Sequence, residues 1–242
     1  MSLALKLLLA PVLVAQAVAT RRRALVLPEA GGPRRGRAGR GGPVLRLLIA
    51  GDSSAAGVGV ATQGDALAGH LTRSLHRQTS RPVHWMLHAR SGLTTQQVHA
   101  LLRSDAPAGE ADVAVVVSGI NDVIDLVPPR RAVQHREALA DWLLRERGVG
   151  HVVFAPLPPV HRFPLLPQPL RMVMGDDARR HDEALARWAA TRQDVSHLRI
   201  AYELSPAAMA SDGFHPGEPV YRACGEAIAG HIVQRISRET NP

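Results

Sequence analysis

The sequence predicts a single α/β domain built on a mostly parallel sheet with helices on both faces. Two observations support this class: apolar runs alternate with helical patterns from residue 44 onward, and hydrophobic residues make up 45% of the 242 positions. Aromatic residues are only 3% of the chain, so the core must be built from Val, Leu, Ile and Ala. A chain of this length suits one sizeable core, and no internal repeat or second domain is visible.

The first strand is predicted over residues 44–50, an almost continuous apolar run with one arginine as its only interruption. A helix follows over residues 65–78, where leucines recur at i, i+4 and i+8. Residues 83–89 form a second apolar strand, and residues 94–103 the next helix. This half of the chain therefore contains two strand–helix units.

The clearest buried strand is the continuous, β-branched run DVAVVVS at residues 112–118. Residues 131–147 form a long amphipathic pattern that Gly148 closes. The apolar segment HVVFAP predicts a fourth strand at residues 151–156. The parallel arrangement thus continues through the middle of the chain.

The remaining elements are a helix over residues 176–191, a fifth strand over residues 198–203 and a final helix over residues 217–238. Pro216 is well placed to start that last helix. In open α/β sheets, binding sites form at the carboxyl ends of the strands. Functional residues are therefore expected in the loops that follow the strands.

The basic charge lies mainly in the first 43 residues. The chain has a formal charge of +8, but residues 1–43 hold eight basic side chains against Glu29 alone, so only one net charge belongs to residues 44–242. A nearly neutral domain argues against a nucleic-acid-binding face. We divide the chain into an apolar helix with an Arg/Gly/Pro-rich leader and linker, residues 1–43, and the α/β domain, residues 44–242. Residues 28–43 are interpreted as a linker that cannot form a core.

The leader resembles a membrane-associated segment. Residues 7–19 (LLLAPVLVAQAVA) are apolar but short for a bilayer span, and three arginines follow at once. We expect residues 1–40 to contact a membrane surface peripherally, which places the protein in the cytoplasm at the inner face of the membrane. Two alternatives stay open: a helix packed on the domain, and export to the periplasm after cleavage near Ala17-Val18-Ala19.

The stretch LIAGDSSAAGVGV at the end of the first predicted strand could hold a phosphate or present a nucleophile. Its glycines match neither a P-loop nor a dinucleotide loop, and Asp52 would repel phosphate. A nucleophilic serine needs a base and an orienting carboxylate, and Asp212 and His215 are correctly spaced on one turn to supply both. We therefore predict Ser53, His215 and Asp212 as a catalytic triad.

Oxyanion donors are expected after the neighbouring strands. Gly92 lacks a side chain, so its backbone N–H can approach a reacting carbonyl, and the side-chain amide of Asn121 can donate to the same point. Together with the N–H of Ser53 they give three donors. Asp52, Asp122 and Asp125 are interpreted as groups that brace turns rather than as catalysts.

These motifs resemble the four sequence blocks of the SGNH, or GDSL-type, hydrolases: Gly-Asp-Ser at 51–53, Gly92, Gly119-x-Asn121-Asp122 and Asp212-x-x-His215-Pro216. The resemblance covers residues 44–238 and implies a flavodoxin-like three-layer fold with five parallel strands in the order 2-1-3-4-5. It also implies serine ester hydrolysis without metal or cofactor, and the roles given above to the triad and the three donors. Ser54 departs from the leucine usual in the family, which bears on substrate preference.

The long Pro-rich segment 156–175 is expected to shape an acyl pocket through Phe163, Leu166 and Met172; a surface loop that caps the core is the alternative. The expected substrates are lipid-like acyl esters, such as lysophospholipids or short to medium acylglycerols. The alternatives are a carbohydrate O-deacetylase of the same fold and a catalytically idle lipid- or membrane-binding module. Cys224 is expected to be a small core residue, and the oligomeric state stays open.

Overall fold

The computed structural model describes residues 3–105, 111–201 and 204–240. Within these ranges one sheet contains six strands in the order β1-β3-β2-β4-β5-β6. The strands are β1 (Arg35–Ala38), β2 (Leu45–Gly51), β3 (Val83–Ala89), β4 (Val113–Val117), β5 (His151–Phe154) and β6 (Val195–His197). Strands β2 to β6 are parallel and follow the predicted 2-1-3-4-5 order, which confirms the predicted fold class.

The sixth strand corrects the prediction for residues 28–43. β1 pairs antiparallel with β3 at the sheet edge, from Arg35 opposite Met86 to Ala38 opposite Val83. A Gly/Arg-rich segment can do this because strand pairing uses backbone groups and an edge strand needs no apolar face. Part of the expected linker is therefore a structural element.

The last strand also differs from the prediction. β6 pairs with β5 from Val195 opposite Val152 to His197 opposite Phe154, ahead of the predicted segment 198–203. Leu198 is buried and Ile200 packs against the same core, so these apolar residues fill space beside the sheet rather than pairing in it. Residues 202 and 203 lie outside the described residues.

The helices that flank the sheet are α3 (Leu67–Thr79), α4 (Thr95–Asp105), α6 (Pro129–Glu146), α7 (Leu170–Ala189) and α8 (Glu218–Thr240). Two short helices, α2 (Ser53–Ala56) and α5 (Ile120–Ile124), follow β2 and β4 directly. α7 begins earlier than predicted, because Leu170 and Val173 pack into the core. The loop after β5 is correspondingly shorter and contains a 3₁₀ turn at Val160–Arg162.

Alternate residues of the buried strands point to opposite faces of the sheet and separate the core into two parts. Leu47 and Ile49 of β2 pack with apolar side chains of α3 and α8. Leu48 and Ala50 pack with those of α4, α6 and α7. The sheet is thus covered on both faces, and its strands end together at one edge of the domain.

The N-terminal helix α1 (Leu3–Arg23) packs along α7. Lys6 forms an ion pair with Asp177, and the amide of Gln16 bonds to the backbone of Gln168 and Leu170. The two helices therefore run in opposite directions, with the second half of α1 beside the start of α7. Within the described ranges, no helix has the length and apolar character that crossing a bilayer requires.

Candidate active site

The nucleophile candidate lies on the turn between β2 and α2. Asp52 caps the short helix, and its Oδ1 accepts a hydrogen bond of 3.0 Å from the N–H of Ser54. Ser53 is the first residue of the helix and is largely buried. Asp52 therefore braces the turn that presents Ser53.

The loop from Met209 to Gly217 carries the other two predicted triad residues. Met209 pairs with Pro216, and the N–H of Ala210 donates to the carbonyl of His215 at 2.9 Å, so the loop is folded back on itself. Nδ1 of His215 lies 2.5 Å from Oδ2 of Asp212, and Nε2 lies 3.0 Å from Oγ of Ser53. The three side chains form one hydrogen-bonded series across 162 positions of sequence.

This series fixes the proton positions. An ionised Asp212 can only accept, so Nδ1 of the imidazole donates to it and Nε2 is left to accept the hydroxyl proton of Ser53. Burial by itself would raise the pKa of Asp212, but hydrogen bonds from the His215 side chain and from the backbone N–H groups of His215 and Phe214 outweigh it. The pKa of Asp212 is therefore held below its usual value, which keeps the carboxylate charged.

Two glycines allow the loops of the site to meet. A Cβ on Gly51 would lie 2.0 Å from the carbonyl oxygen of Val117, and a Cβ on Gly59, where φ is +103°, would lie 2.3 Å from that of Pro216. The second contact joins the serine turn to the histidine loop. Tyr221 strengthens the same junction, because its buried hydroxyl donates to the carbonyl of Val58 at 2.7 Å.

The three predicted oxyanion donors follow three adjacent strands. Ser53 follows the central β2, Gly92 follows β3 and Asn121 lies in α5 after β4. One N–H of the Asn121 amide donates to the carbonyl of Leu93 at 3.0 Å, which fixes the side chain and leaves its second N–H available. A Cβ on Gly92 would meet open space, so no steric clash requires glycine at this position. Glycine is favoured there because φ is +82°, a backbone conformation that other residues rarely adopt.

A buried charged cluster supports the loop after β4. Asp122 accepts hydrogen bonds from the N–H and hydroxyl of Thr95 and lies 3.6 Å from a guanidinium nitrogen of Arg136, which is fully buried. Arg136 also approaches Gly119 so closely that a Cβ there would be 2.2 Å from the guanidinium. Asp122 thus joins the starts of α4 and α5, whereas Asp125 is exposed at the end of α5.

Sequence reasoning missed Arg136 and Thr95. A signal existed for Arg136, because it stands on the apolar stripe of its helix with Ala132, Leu139 and Leu143, all of them fully buried. Thr95 carried no comparable signal.

Asp52 lies near this cluster and, like Asp122 and Arg136, is buried. Burial raises the pKa of Asp52 to about 7, and the negative charge of Asp122 adds to that effect, although the Ser54 N–H opposes it. Asp52 is thus a carboxyl group whose ionisation the folded protein disfavours.

An apolar cavity opens beside Ser53 and His215. Its wall comes from the ends of β4 and β5, the histidine loop and the inner face of α8; the residues include Val117, Ile120, Pro156, Pro158, Phe163, Met209, Phe214, Val220, Cys224 and Ile228. Of the three predicted pocket residues, only Phe163 lines it. Leu166 is buried in the same part of the core as Phe163 and Met172 is exposed, and neither of these two predicted residues lines the cavity.

Cys224 is part of the cavity wall, and burial raises the pKa of its thiol to about 12. The thiol is therefore protonated and a poor nucleophile at neutral pH. In the described part of the chain, no group of three or more His, Cys, Asp or Glu side chains could hold a metal ion.

Comparisons with known proteins show what this chain is similar to. A model of the GDSL-like lipase/acylhydrolase family matches residues 49–223. A GDSL-like esterase of Mycobacterium tuberculosis is 29% identical over 209 residues, which cover 78% of this chain and 65% of the relative's own length.

Solved structures share the fold at low sequence identity. A lipase from a goat rumen metagenome has a TM-score of 0.62 at 18% identity and covers 77% of this chain and 96% of its own. A family 3 carbohydrate esterase of Clostridium thermocellum has a TM-score of 0.60 at 15% identity, with coverages of 81% and 98%.

Proposed function

Since the chain belongs to the GDSL-like lipase/acylhydrolase family, we propose that it hydrolyses carboxylic esters through an acyl-enzyme, with Ser53 as the nucleophile. The observation that carries the proposal is the hydrogen-bonded series from Ser53 through His215 to Asp212 at the mouth of an apolar cavity. The mechanism needs no group beyond these residues, the oxyanion donors and water.

In the first half-reaction, Oγ of Ser53 attacks the ester carbonyl carbon while Nε2 of His215 takes the hydroxyl proton. The negative charge on the former carbonyl oxygen is stabilised by the N–H groups of Ser53 and Gly92 and the amide of Asn121. The C–O bond to the alcohol then breaks, and His215 returns the proton to that alcohol. Asp212 keeps the imidazole in the required tautomer and stabilises its charged form.

In the second half-reaction, water attacks the acyl-serine carbonyl and gives its proton to His215. Collapse of the intermediate releases the carboxylic acid and returns the proton to Oγ of Ser53. Activity should fall at acid pH, because a protonated imidazole cannot accept the serine proton.

We assign the acyl group to the apolar cavity. Beyond Ser53, Ser54 and His215 its wall is almost entirely hydrocarbon, and α8 contributes Cys224 and Ile228 to it. Such a wall favours a short to medium acyl chain of lipid character over a sugar, whose hydroxyls would need polar partners. The two alternatives, a carbohydrate O-deacetylase and a catalytically idle binding module, are distinguished by the experiment that follows.

The test compares hydrolysis of nitrophenyl esters from acetyl to palmitoyl by the parent protein, Ser53→Ala and Ser104→Ala. Ser104→Ala is the matched control, because Ser104 is exposed near the end of α4 and its hydroxyl donates only to the carbonyl of Leu101. We expect kcat/KM to fall about 10⁴-fold or more in Ser53→Ala alone, with the best substrate between butanoyl and decanoyl. Turnover confined to acetyl esters would favour the deacetylase. A complete absence of Ser53-dependent turnover would favour the binding module.

A further inference from the structure

Helix α1 has one side that packs on the domain and one that does not. Lys6, Leu13 and Gln16 recur every three to seven positions and face α7, where they contact Asp177, the apolar core and the backbone of Leu170. These contacts fix the orientation of the helix. Its opposite side therefore points away from the protein.

That outward side is entirely apolar between residues 7 and 19. Leu8 is 77% exposed, Leu7 66% and Val14 63%, and the other outward positions there are Pro11, Val12, Ala15, Ala17, Val18 and Ala19. A helix on the surface of a soluble protein carries charged side chains outward, as α7 does with Arg179 and Glu183. An exposed apolar face of this length marks an interaction surface.

The exposed apolar residues are concentrated in one region. Among the described residues, ten large apolar side chains are exposed, and seven of them belong to α1 and the segment after it. The other three are Ile124, Leu126 and Met172. Those three lie at the end of α5 and the start of α7. Gln16, in the second half of α1, bonds to Gln168 just before that start, and the N–H of Leu165 in the same loop donates to the carbonyl of Gly213 in the histidine loop. The exposed apolar side of α1 thus lies on the side of the domain that carries the histidine loop.

The charge at the end of α1 indicates the partner. Arg21, Arg22 and Arg23 form its last turn and are exposed, while the helix contains no acidic residue. An apolar face flanked by arginines matches a bilayer with anionic head groups, where the side chains enter the interface and the guanidinium groups meet phosphate.

We propose that the outward face of α1, with Arg21 to Arg23, docks this protein on an anionic lipid surface with the mouth of the site turned toward the lipid. The docking does not depend on ester hydrolysis. It is therefore tested in the Ser53→Ala background, where failure of the proposed chemistry cannot affect the result.

The first experiment is co-sedimentation with vesicles of phosphatidylglycerol and phosphatidylcholine, and with phosphatidylcholine alone. We expect binding to the mixed vesicles and a loss of at least tenfold in partitioning for Leu8→Glu/Val14→Glu. The matched control, Ala100→Glu/Ala138→Glu, adds the same charge at exposed positions of α4 and α6 and should stay within twofold of the parent. Thermal unfolding of each variant by circular dichroism verifies the fold.

The second experiment replaces Arg21, Arg22 and Arg23 with glutamine. Because each basic residue near an anionic surface contributes about fivefold, partitioning into the mixed vesicles should fall about 10²-fold, and binding to phosphatidylcholine should change little. The proposal is overturned if the parent does not bind the mixed vesicles, or if the Leu8/Val14 variant binds them as the control does. It is also overturned if light scattering shows a dimer that this variant dissociates while vesicle binding is absent.

Discussion

Replacing Gly59 with alanine should uncouple the serine from the histidine without touching either residue. The added Cβ would lie 2.3 Å from the carbonyl oxygen of Pro216 and 2.8 Å from Cβ of Ala210. Both neighbours belong to the folded loop that holds His215 between them. The clash therefore acts on the loop that positions the imidazole.

The size of the effect follows from these distances. The Pro216 carbonyl must retreat by about 0.7 Å to reach even a 3.0 Å contact, and His215 precedes it directly in the chain. A displacement approaching 1 Å in a catalytic group typically lowers the rate about 10²-fold. The positive φ of Gly59 adds about 1–2 kcal/mol of backbone strain for any residue with a Cβ.

The assay is kcat/KM on a butanoyl nitrophenyl ester, with the free energy of unfolding measured on the same preparations. Gly41→Ala is the matched control, since Gly41 also has a positive φ, of +75°, but a Cβ there would meet nothing within 4 Å. We expect both variants to lose stability and only Gly59→Ala to lose about 10²-fold in kcat/KM. If Gly59→Ala retains its kcat/KM within threefold of the parent, the close approach does not position His215 and the reasoning fails.

Three further predictions concern the buried charges and the cavity. Arg136→Met should lower the free energy of unfolding, measured in urea, by about 3–5 kcal/mol, because it leaves Asp122 buried without its cation. The double variant Arg136→Met/Asp122→Asn should regain part of that loss. Equal losses in the single and double variants would refute the pairing. Burial raises the pKa of Asp52 from 3.8 to about 7. Between these two pH values the folded protein keeps a proton on Asp52 that the unfolded chain has lost. The contribution of Asp52 to the free energy of unfolding therefore declines by about 1.4 kcal/mol for each unit of increasing pH in this range. Asp52→Asn cannot ionise and should remove this slope when unfolding is measured at pH 5, 6 and 7; an unchanged slope would show that Asp52 ionises normally. Cys224→Leu should displace about two methylenes of a bound acyl chain, each of which contributes ~0.8 kcal/mol to binding. We therefore expect kcat/KM to fall about tenfold for a decanoyl ester and to stay unchanged for an acetyl ester. An equal loss on both esters would contradict the assignment of the acyl group to this cavity.

The strands themselves and the residues around Ser53 could be predicted because their signals are local, whereas the strand order was implied only by the resemblance to the SGNH hydrolases. Buried parallel strands are continuous apolar runs, and the motifs at Gly51-Asp52-Ser53 and Asp212-x-x-His215 directly follow or precede regular elements. Once the strands share one direction, their carboxyl ends must meet, and residues 162 positions apart come within 3.0 Å. The parallel topology therefore brings together residues that are far apart in sequence.

The cavity wall could not be predicted in the same way. Phe163, Leu166 and Met172 look equivalent in an apolar, Pro-rich segment, but the 3₁₀ turn and the early start of α7 orient them differently. Only the folded chain shows that α8 contributes Cys224 and Ile228 to the wall. Side-chain direction in irregular segments depends on tertiary packing, which single-sequence patterns do not contain.

The edge strand β1 has a consequence for how the protein behaves at high concentration. A parallel sheet that ended at β3 would expose a seven-residue apolar strand with unpaired backbone groups, which is a template for pairing with another molecule. β1 covers that edge with four residues, Arg-Gly-Arg-Ala, so the strand that neighbouring molecules would meet is short and carries Arg35 and Arg37. Charge repulsion between such edges opposes aggregation by strand addition, which gives this basic segment a protective role in keeping molecules of the protein apart.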